Sequence, residues 1–217
     1  MIKKVLSLDI DFFFPEMNTY QKYFDVDLTP RQSWQVVRWK AKKNNKKLFF
    51  KPCNFALNYV VEVLLNKCKG AKIVGITEHD EILEVLKKNK CENADLYNFD
   101  FHEDICYGNE DDNPNLENWI QFARQENLVK RIAWISQDGS RKTGMSTICT
   151  STMCWKDCDW ENFPEFDLLV VCTSRHFTPP EYWYLNKKMR EIAKKGSDND
   201  GMGQKIQKSF KKSIKTI

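Results

Sequence analysis

The chain lacks the features that would place it in a membrane or on a secretory route. No apolar run among its 217 residues approaches the ~20 residues that a membrane-spanning helix requires. Residues 1–4 lead into a predicted strand, and Asp9 and Asp11 follow within the next seven residues, which is not the pattern of a signal peptide. We therefore expect a cytoplasmic protein without a membrane partner.

Paired cysteines and a basic body are also missing. The eight cysteines include no C-x2-C pair, and without a signal peptide we expect free thiols. Cys149, Cys154 and Cys158 lie close together in the sequence, and we interpret them as loop thiols rather than as a zinc or redox site, whose paired spacing they lack. The chain has a net charge of +4, and most of it belongs to the C-terminal tail. No nucleic-acid partner is therefore expected.

The composition changes at residue 196. Residues 196–217 contain five Lys and two Asp, and we interpret them as a flexible basic tail. Ile206, Phe210 and Ile214 recur every four residues there and would also fit one face of a short helix. Residues 1–195, with no internal repeat, are expected to form one domain.

Apolar and aromatic residues are abundant, and their spacing alternates between strand and helix patterns. The chain has 41% hydrophobic residues, seven Trp and fourteen Phe, which is typical of a packed globular protein. The predicted strands are residues 4–10, 72–77, 94–100, 130–136 and 167–173. The predicted helices are residues 30–43, 54–68, 80–89, 115–126 and 180–196. This alternation predicts an α/β protein with three α/β/α layers and a mostly parallel sheet. Residues 138–163 show no period, so they form either a lid or a packed irregular segment.

Three of the predicted strands end in possible metal ligands. Asp9 and Asp11 follow the first strand, Glu78 and His79 the second, and residues 100–104 (DFHED) the third. Because ligands bind beyond the carboxyl ends of parallel strands, and side chains alternate along extended chain, these groups are expected to converge. Four carboxylates brought together require cations, and two divalent ions would balance their charge. Oxygen and imidazole ligands suit manganese.

Each of these motifs taken alone also occurs in unrelated kinds of site. An Asp-x-Asp pair at a strand end is found in phosphatases, although Phe12 and Phe13 follow where that motif wants a small hydroxyl residue. It also binds metal in glycosyltransferases. A single histidine such as His79 is commonly a loop or core residue. The Asp100, His102, Asp104 triplet is more specific, and the chain has only three histidines.

Residues 99–104 (FDFHED) resemble the D-x-H-x-D motif of the arginase and agmatinase fold. Residues 7–15 are similar to the S-x-D-x-D…P motif of these ureohydrolases, and Glu78-His79 resembles their D-H pair. The D-x-D segment comes last in ureohydrolases and first here. That order resembles a permuted arginase-like family that includes peptide arginases, which convert arginine within a precursor peptide to ornithine and urea. The resemblance covers roughly residues 4–185.

The resemblance implies a role for each matching residue. Asp9 and Asp100 would bridge two manganese ions, His79 and Asp104 would complete one position, and His102 and Asp11 would complete the other. Asp104 would also hold the hydroxide that attacks the guanidinium carbon. The implied set of metal ligands is Asp9, Asp11, His79, Asp100, His102 and Asp104.

The remaining catalytic groups of the family have no direct counterpart. The histidine proton shuttle is absent between Asp104 and Ser174, and His176 is the one histidine left. We interpret His176 either as an active-site group or as a loop residue. Glu181 and Glu78 are candidates to bind the guanidinium, with Glu181 preferred because it shares a loop with His176; it would also suit the first turn of a helix.

The expected function is manganese-dependent hydrolysis of arginine in a peptide to ornithine and urea. The alternatives are a related C–N hydrolase, agmatinase-like or deacetylase-like, and a non-catalytic protein that binds metal or peptide. The aromatic stretches around Trp155 and Trp160 and around Trp183 would provide either contacts for a peptide or core packing. Neither the identity of the peptide nor the oligomeric state follows from the sequence.

Overall fold

A computed structural model describes most of the chain. The described residues are 2–15, 20, 23–24, 27–44, 50–105, 113–116, 118–138 and 149–195. The basic tail at 196–217 lies outside them, as do residues 139–148 of the segment without a period. None of the described helices has both the length and the apolar character needed to span a bilayer.

Six parallel strands form one sheet. They are β1 (Lys4–Asp9), β2 (Lys72–Ile76), β3 (Ala94–Asp100), β4 (Val129–Ser136), β5 (Ser151–Cys154) and β6 (Leu168–Cys172). Their order is β2-β6-β1-β3-β4-β5, and all neighbouring strands are parallel. The chain thus leaves β1 for one side of the sheet and then continues on its other side from β3. The carboxyl end of β1 is therefore the point where ligands bind in such sheets.

Helices cover both faces of this sheet. They are α1 (Pro30–Lys43), α2 (Asn54–Glu62), α3 (Ile82–Lys88), α4 (Trp119–Gln125) and α5 (Tyr184–Lys195). One apolar cluster joins α1, α2 and α5 to one sheet face, and a second joins α3 and α4 to the other. The predicted three-layer α/β fold with a parallel sheet is therefore confirmed.

Helix α1 shows how local sequence sets a boundary. Pro30 occupies its first turn, and the side chains of Thr29 and Gln32 form a capping box at its start. Proline suits this position because its fixed φ is helical and its missing N–H would have no partner there. Trp34, Val37 and Ala41 recur along one face and are buried.

Other boundaries differ from the predicted ones. The helix predicted over 54–68 is interrupted at Val63, where φ is −114° and the chain tightens into a 3-10 turn over Leu64–Cys68. Helix α4 starts at Trp119 rather than near 115, because the Asn118 side chain accepts a hydrogen bond from the Asn115 amide and shapes a turn. Strand β5 was not predicted. It has only four residues, and these show no clear alternation of buried and exposed side chains.

Asn186 of α5 fastens this helix to the ends of two strands. Its buried amide nitrogen donates to the carbonyls of Ile76 and Val171, at 2.9 and 2.7 Å, and to the Thr173 hydroxyl. Its amide oxygen accepts a hydrogen bond from Arg190. These bonds satisfy polar groups beside the carboxyl edge of the sheet, which would be costly to leave unpaired.

Replacement of Asn186 should therefore destabilise the protein. Asn186→Ala should lower the free energy of unfolding by about 1–3 kcal/mol because the Ile76 and Val171 carbonyls and the Arg190 guanidinium each lose a hydrogen bond. Asn186→Asp should cost more, since a carboxylate oxygen would face those carbonyls. Urea-induced unfolding gives the measurement, and the exposed Asn54→Ala is the control, expected to stay within about 0.5 kcal/mol. A loss at Asn186 no larger than this control would contradict the anchoring role.

Candidate metal centre

Strand alternation directs Asp9 and Asp100 to the same face of the sheet. Residues 6 and 8 of β1 pack in the cluster with α1, α2 and α5, whereas Val5 packs on the face covered by α3 and α4. Asp9 has the same parity as Val5, and Asp100 has the same parity as Leu96 of the α3 and α4 face. Both carboxylates are fully buried at the carboxyl edge.

Asp11 and Asp104 also lie at the carboxyl edge of the sheet, but neither residue belongs to a strand. β1 ends at Asp9, and Asp11 lies in the 3-10 turn that follows. The Asp11 amide donates a hydrogen bond to Asp9 Oδ1 at 3.1 Å. β3 ends at Asp100, and Asp104 has a left-handed backbone with φ of 52°. The expectation that side chains alternate to the ends of both motifs was therefore wrong, because the strands stop sooner. Strained backbone of this kind is common at functional sites.

His79 faces three carboxylates at once. Its Nδ1 atom lies 3.2 Å from Asp9 Oδ2, 3.0 Å from Asp100 Oδ2 and 2.8 Å from Asp104 Oδ2. Its other ring nitrogen lies 3.1 Å from the Ser7 hydroxyl. A histidine whose Nε2–H donates to a hydroxyl presents the lone pair of Nδ1 to a metal.

A second ligand group shares Asp100. His102 Nδ1 lies 3.0 Å from Asp11 Oδ2 and 3.7 Å from Asp100 Oδ1. Asp11 Oδ2 is buried and faces the imidazole of His102 without a well-directed hydrogen bond. A divalent cation could bind this oxygen and the imidazole together.

The donor atoms fit divalent ions in both number and spacing. Two of the groups whose ligand atoms lie within 4.8 Å of one another share Asp100: His79, Asp100 and Asp104, and Asp11, Asp100 and His102. Neighbouring ligands at ~2.1 Å from one octahedral ion lie about 3 Å apart. The separations around His79, from 2.8 to 3.2 Å, match that spacing. The buried Asp and His groups could therefore hold metal ions.

The electrostatics of the protein alone also favour a cation here. Burial, followed by the neighbouring carboxylates, raises the pKa of Asp9, Asp11 and Asp100 above the usual range. Burial by itself would lower the pKa of His102, but the Asp11 and Asp100 carboxylates raise it to about 10. The pKa of His79 is raised well above its ordinary value by the same balance, with carboxylates outweighing burial. In the protein alone, protons would thus supply the positive charge, and metal binding displaces them.

Three residues that sequence reasoning missed orient these ligands. Ser7 contacts His79, the Ser174 hydroxyl donates to Asp9 Oδ2, and the Trp119 indole donates to Asp104 Oδ2 at 2.7 Å. Ser7 had a signal, because it is a polar residue inside an apolar strand. Trp119 and Ser174 had none, since they approach their partners from α4 and from the loop after β6.

His176 lies on a loop that covers the centre. Two neighbours fix the loop, since Ser174 contacts Asp9 and the Phe177 ring lies 4.6 Å from the His102 ring. His176 Nδ1 is 3.8 Å from Glu78 Oε2, and neither atom has a hydrogen-bond partner among the described residues. The Glu78 carboxylate raises the pKa of His176, although burial opposes it.

The structure places Glu181 in a different environment from Glu78. Glu181 Oε2 lies 2.6 Å from the guanidinium of Arg38, so this carboxylate already binds an arginine of its own chain. A substrate guanidinium would have to displace Arg38. Glu78, next to His79, instead presents a buried oxygen without a hydrogen-bond partner in the described part of the chain.

The remaining residues that the sequence singled out are cysteines and tryptophans, and they are not members of the two described ligand groups that contain Asp100. The seven described cysteines are unbridged, which confirms the expected free thiols for this part of the chain. Cys149, Cys154 and Cys158 form no common ligand group within the described residues. Trp155 and Trp160 are buried in the core. Trp183 is partly buried, with the guanidinium of Arg175 lying 5.0 Å from its ring centre.

Comparisons with known proteins assign no family to the chain. No family model, no curated protein and no solved structure matches it. A functional conclusion therefore rests on the buried Asp and His groups at the carboxyl edge of the sheet.

Proposed function

We propose that this protein is a manganese-dependent hydrolase that converts peptidyl arginine to ornithine and urea. The observation that carries the proposal is the pair of buried ligand groups that share Asp100. A carboxylate common to two ligand groups supports the proposal because it could bridge the ions of a two-metal centre. The resemblance of residues 99–104 and 7–15 to ureohydrolase motifs supports the choice of reaction.

The residues divide between two metal positions. His79, Asp100 and Asp104 would hold one ion, and Asp11, Asp100 and His102 would hold the other. Asp9 lies against His79, within reach of the first position. When bound, divalent ions at such a site lower the pKa of water and stabilise developing negative charge. Ser7, Trp119 and Ser174 keep the ligands in place through their hydrogen bonds.

Two groups beside the centre suit a guanidinium substrate. Glu78 offers a buried carboxylate oxygen that lacks a hydrogen-bond donor among the described residues, and a guanidinium would supply one with opposite charge. His176 faces the same oxygen from 3.8 Å. A histidine there can deliver a proton to the amine that leaves when the C–N bond breaks. We therefore assign guanidinium binding to Glu78 and proton transfer to His176.

Metal loading tests the centre itself. Protein saturated with Mn²⁺ should contain two ions per chain by elemental analysis, and its unfolding temperature should rise because only the folded state binds them. Asp100→Asn should lose the dinuclear loading, since it removes the shared carboxylate charge. Asp95→Asn, on the same strand but paired with Arg131, is the matched control. One ion per chain in the unaltered protein, or tight zinc held by Cys149, Cys154 and Cys158, would contradict the assignment.

Urea release tests the reaction. With Mn²⁺ present, an arginine-containing peptide should yield urea and ornithine with a higher kcat/KM than free arginine. Mass spectrometry of the peptide locates the converted residue. Equal or better turnover of free arginine would exclude the peptide preference, and deacetylation of an acetyl-lysine peptide would favour a deacetylase-like enzyme. Metal binding with no hydrolysis of any of these substrates would favour a non-catalytic binding protein.

Substitutions of Glu78 and His176 should affect different kinetic parameters. Glu78→Gln should lower kcat/KM by about 10- to 100-fold, the value of a hydrogen bond between charged groups. Glu181→Gln should have a smaller effect, because its carboxylate pairs with Arg38. His176→Asn should lower kcat by about 10²- to 10⁴-fold with metal content unchanged.

The ranking of these variants is the decisive result. A larger loss in Glu181→Gln than in Glu78→Gln would return guanidinium binding to Glu181. Normal turnover in His176→Asn would make His176 a residue of the loop with no part in proton transfer.

A further inference from the structure

A third ligand group at the centre contains a thiol. Asp9, His79 and Cys172 each offer one ligand atom, and these atoms lie within 4.8 Å of one another. All three residues are buried. The group overlaps the first metal position through His79, and it adds sulfur to a set that otherwise contains only oxygen and nitrogen.

Strand register explains why this thiol faces the centre. Asp9, the last residue of β1, is paired with Cys172, the last residue of β6. Paired residues of neighbouring parallel strands point to the same face, and Cys172 packs in the cluster on the α3 and α4 face. The Cys172 sulfur also lies 3.3 Å from the hydroxyl of Ser174, the residue that donates to Asp9.

We propose that Cys172 is a metal ligand and makes the Asp9–His79 end of the centre selective for thiophilic divalent ions such as Zn²⁺ and Co²⁺. Thiolate sulfur favours these ions over manganese, whereas carboxylates and imidazole accept either. The group of Asp11, Asp100 and His102 contains no sulfur and keeps its preference for harder ions. The two ends of the centre therefore differ in metal preference.

Ligation at Cys172 requires only the exchange of a proton. Without a metal, a buried cysteine such as Cys172 carries its sulfur as a thiol. A divalent ion that binds the sulfur displaces this proton to solvent, and one metal–sulfur bond replaces one S–H bond. No oxidant or reductant takes part.

This inference rests on the metal centre of the proposed function but is tested by spectroscopy rather than by turnover. Full-length protein loaded with Co²⁺ should show a near-ultraviolet charge-transfer band from thiolate to cobalt. Cys172→Ser should lose the band, and its affinity for Zn²⁺ should fall at least about tenfold relative to Mn²⁺. Cys68→Ser, a buried thiol that bonds to the Leu64 carbonyl, is the matched control and should keep both.

X-ray absorption of the unaltered protein loaded with Zn²⁺ gives an independent readout that needs no variant. It should show one sulfur at about 2.3 Å from zinc. A spectrum with only nitrogen and oxygen neighbours, or a cobalt band that survives in Cys172→Ser, would overturn the proposal. Urea release with Mn²⁺ alone would then still stand as a separate result, because it does not depend on the sulfur.

Discussion

Buried carboxylates at the carboxyl edge of the sheet repel one another, and the surrounding fold has to hold them together. Asp9, Asp11 and Asp100 are fully buried within one cluster, with Asp104 close to them. In the protein alone, two histidines offset part of this charge, and burial raises the pKa of the carboxylates. A folded protein retains such a cluster against its cost only when a function compensates, and cations are the direct compensation.

The surrounding fold resists collapse of the cluster. Apolar layers on both faces hold β1 between β3 and β6, so Asp9 and Asp100 cannot separate without disrupting the core. Hydrogen bonds from Ser174 and Trp119 fix individual carboxylate oxygens. Asn186 ties α5 to the carbonyls at the ends of β2 and β6. Two of the candidate ligands, Asp9 and Asp100, therefore stand on core strands, and hydrogen bonds hold the others near them.

Different chemical groups lie on different sides of the carboxylate cluster. Glu78 and His176 face one another on the loops after β2 and β6, and each has a polar atom without a hydrogen-bond partner within the described residues. Cys172 closes another side with sulfur. This asymmetry is consistent with a cationic substrate group beside Glu78 and with two metal positions that prefer different ions.

Local patterns in the sequence predict five of the six strands, their parallel arrangement and the six metal-ligand candidates, because strand periodicity and strand-end chemistry are local signals. The sequence also determined the start of α1, where Thr29 and Pro30 leave little choice. Contacts between residues far apart in the sequence follow only from the tertiary structure. Strand order placed Cys172 beside Asp9, a left-handed turn brought Asp104 to His79, and α4 delivered Trp119 to Asp104. The pairing of Glu181 with Arg38, 143 residues away, could not be read from the sequence either. Such contacts depend on which elements become neighbours, and no local pattern encodes that.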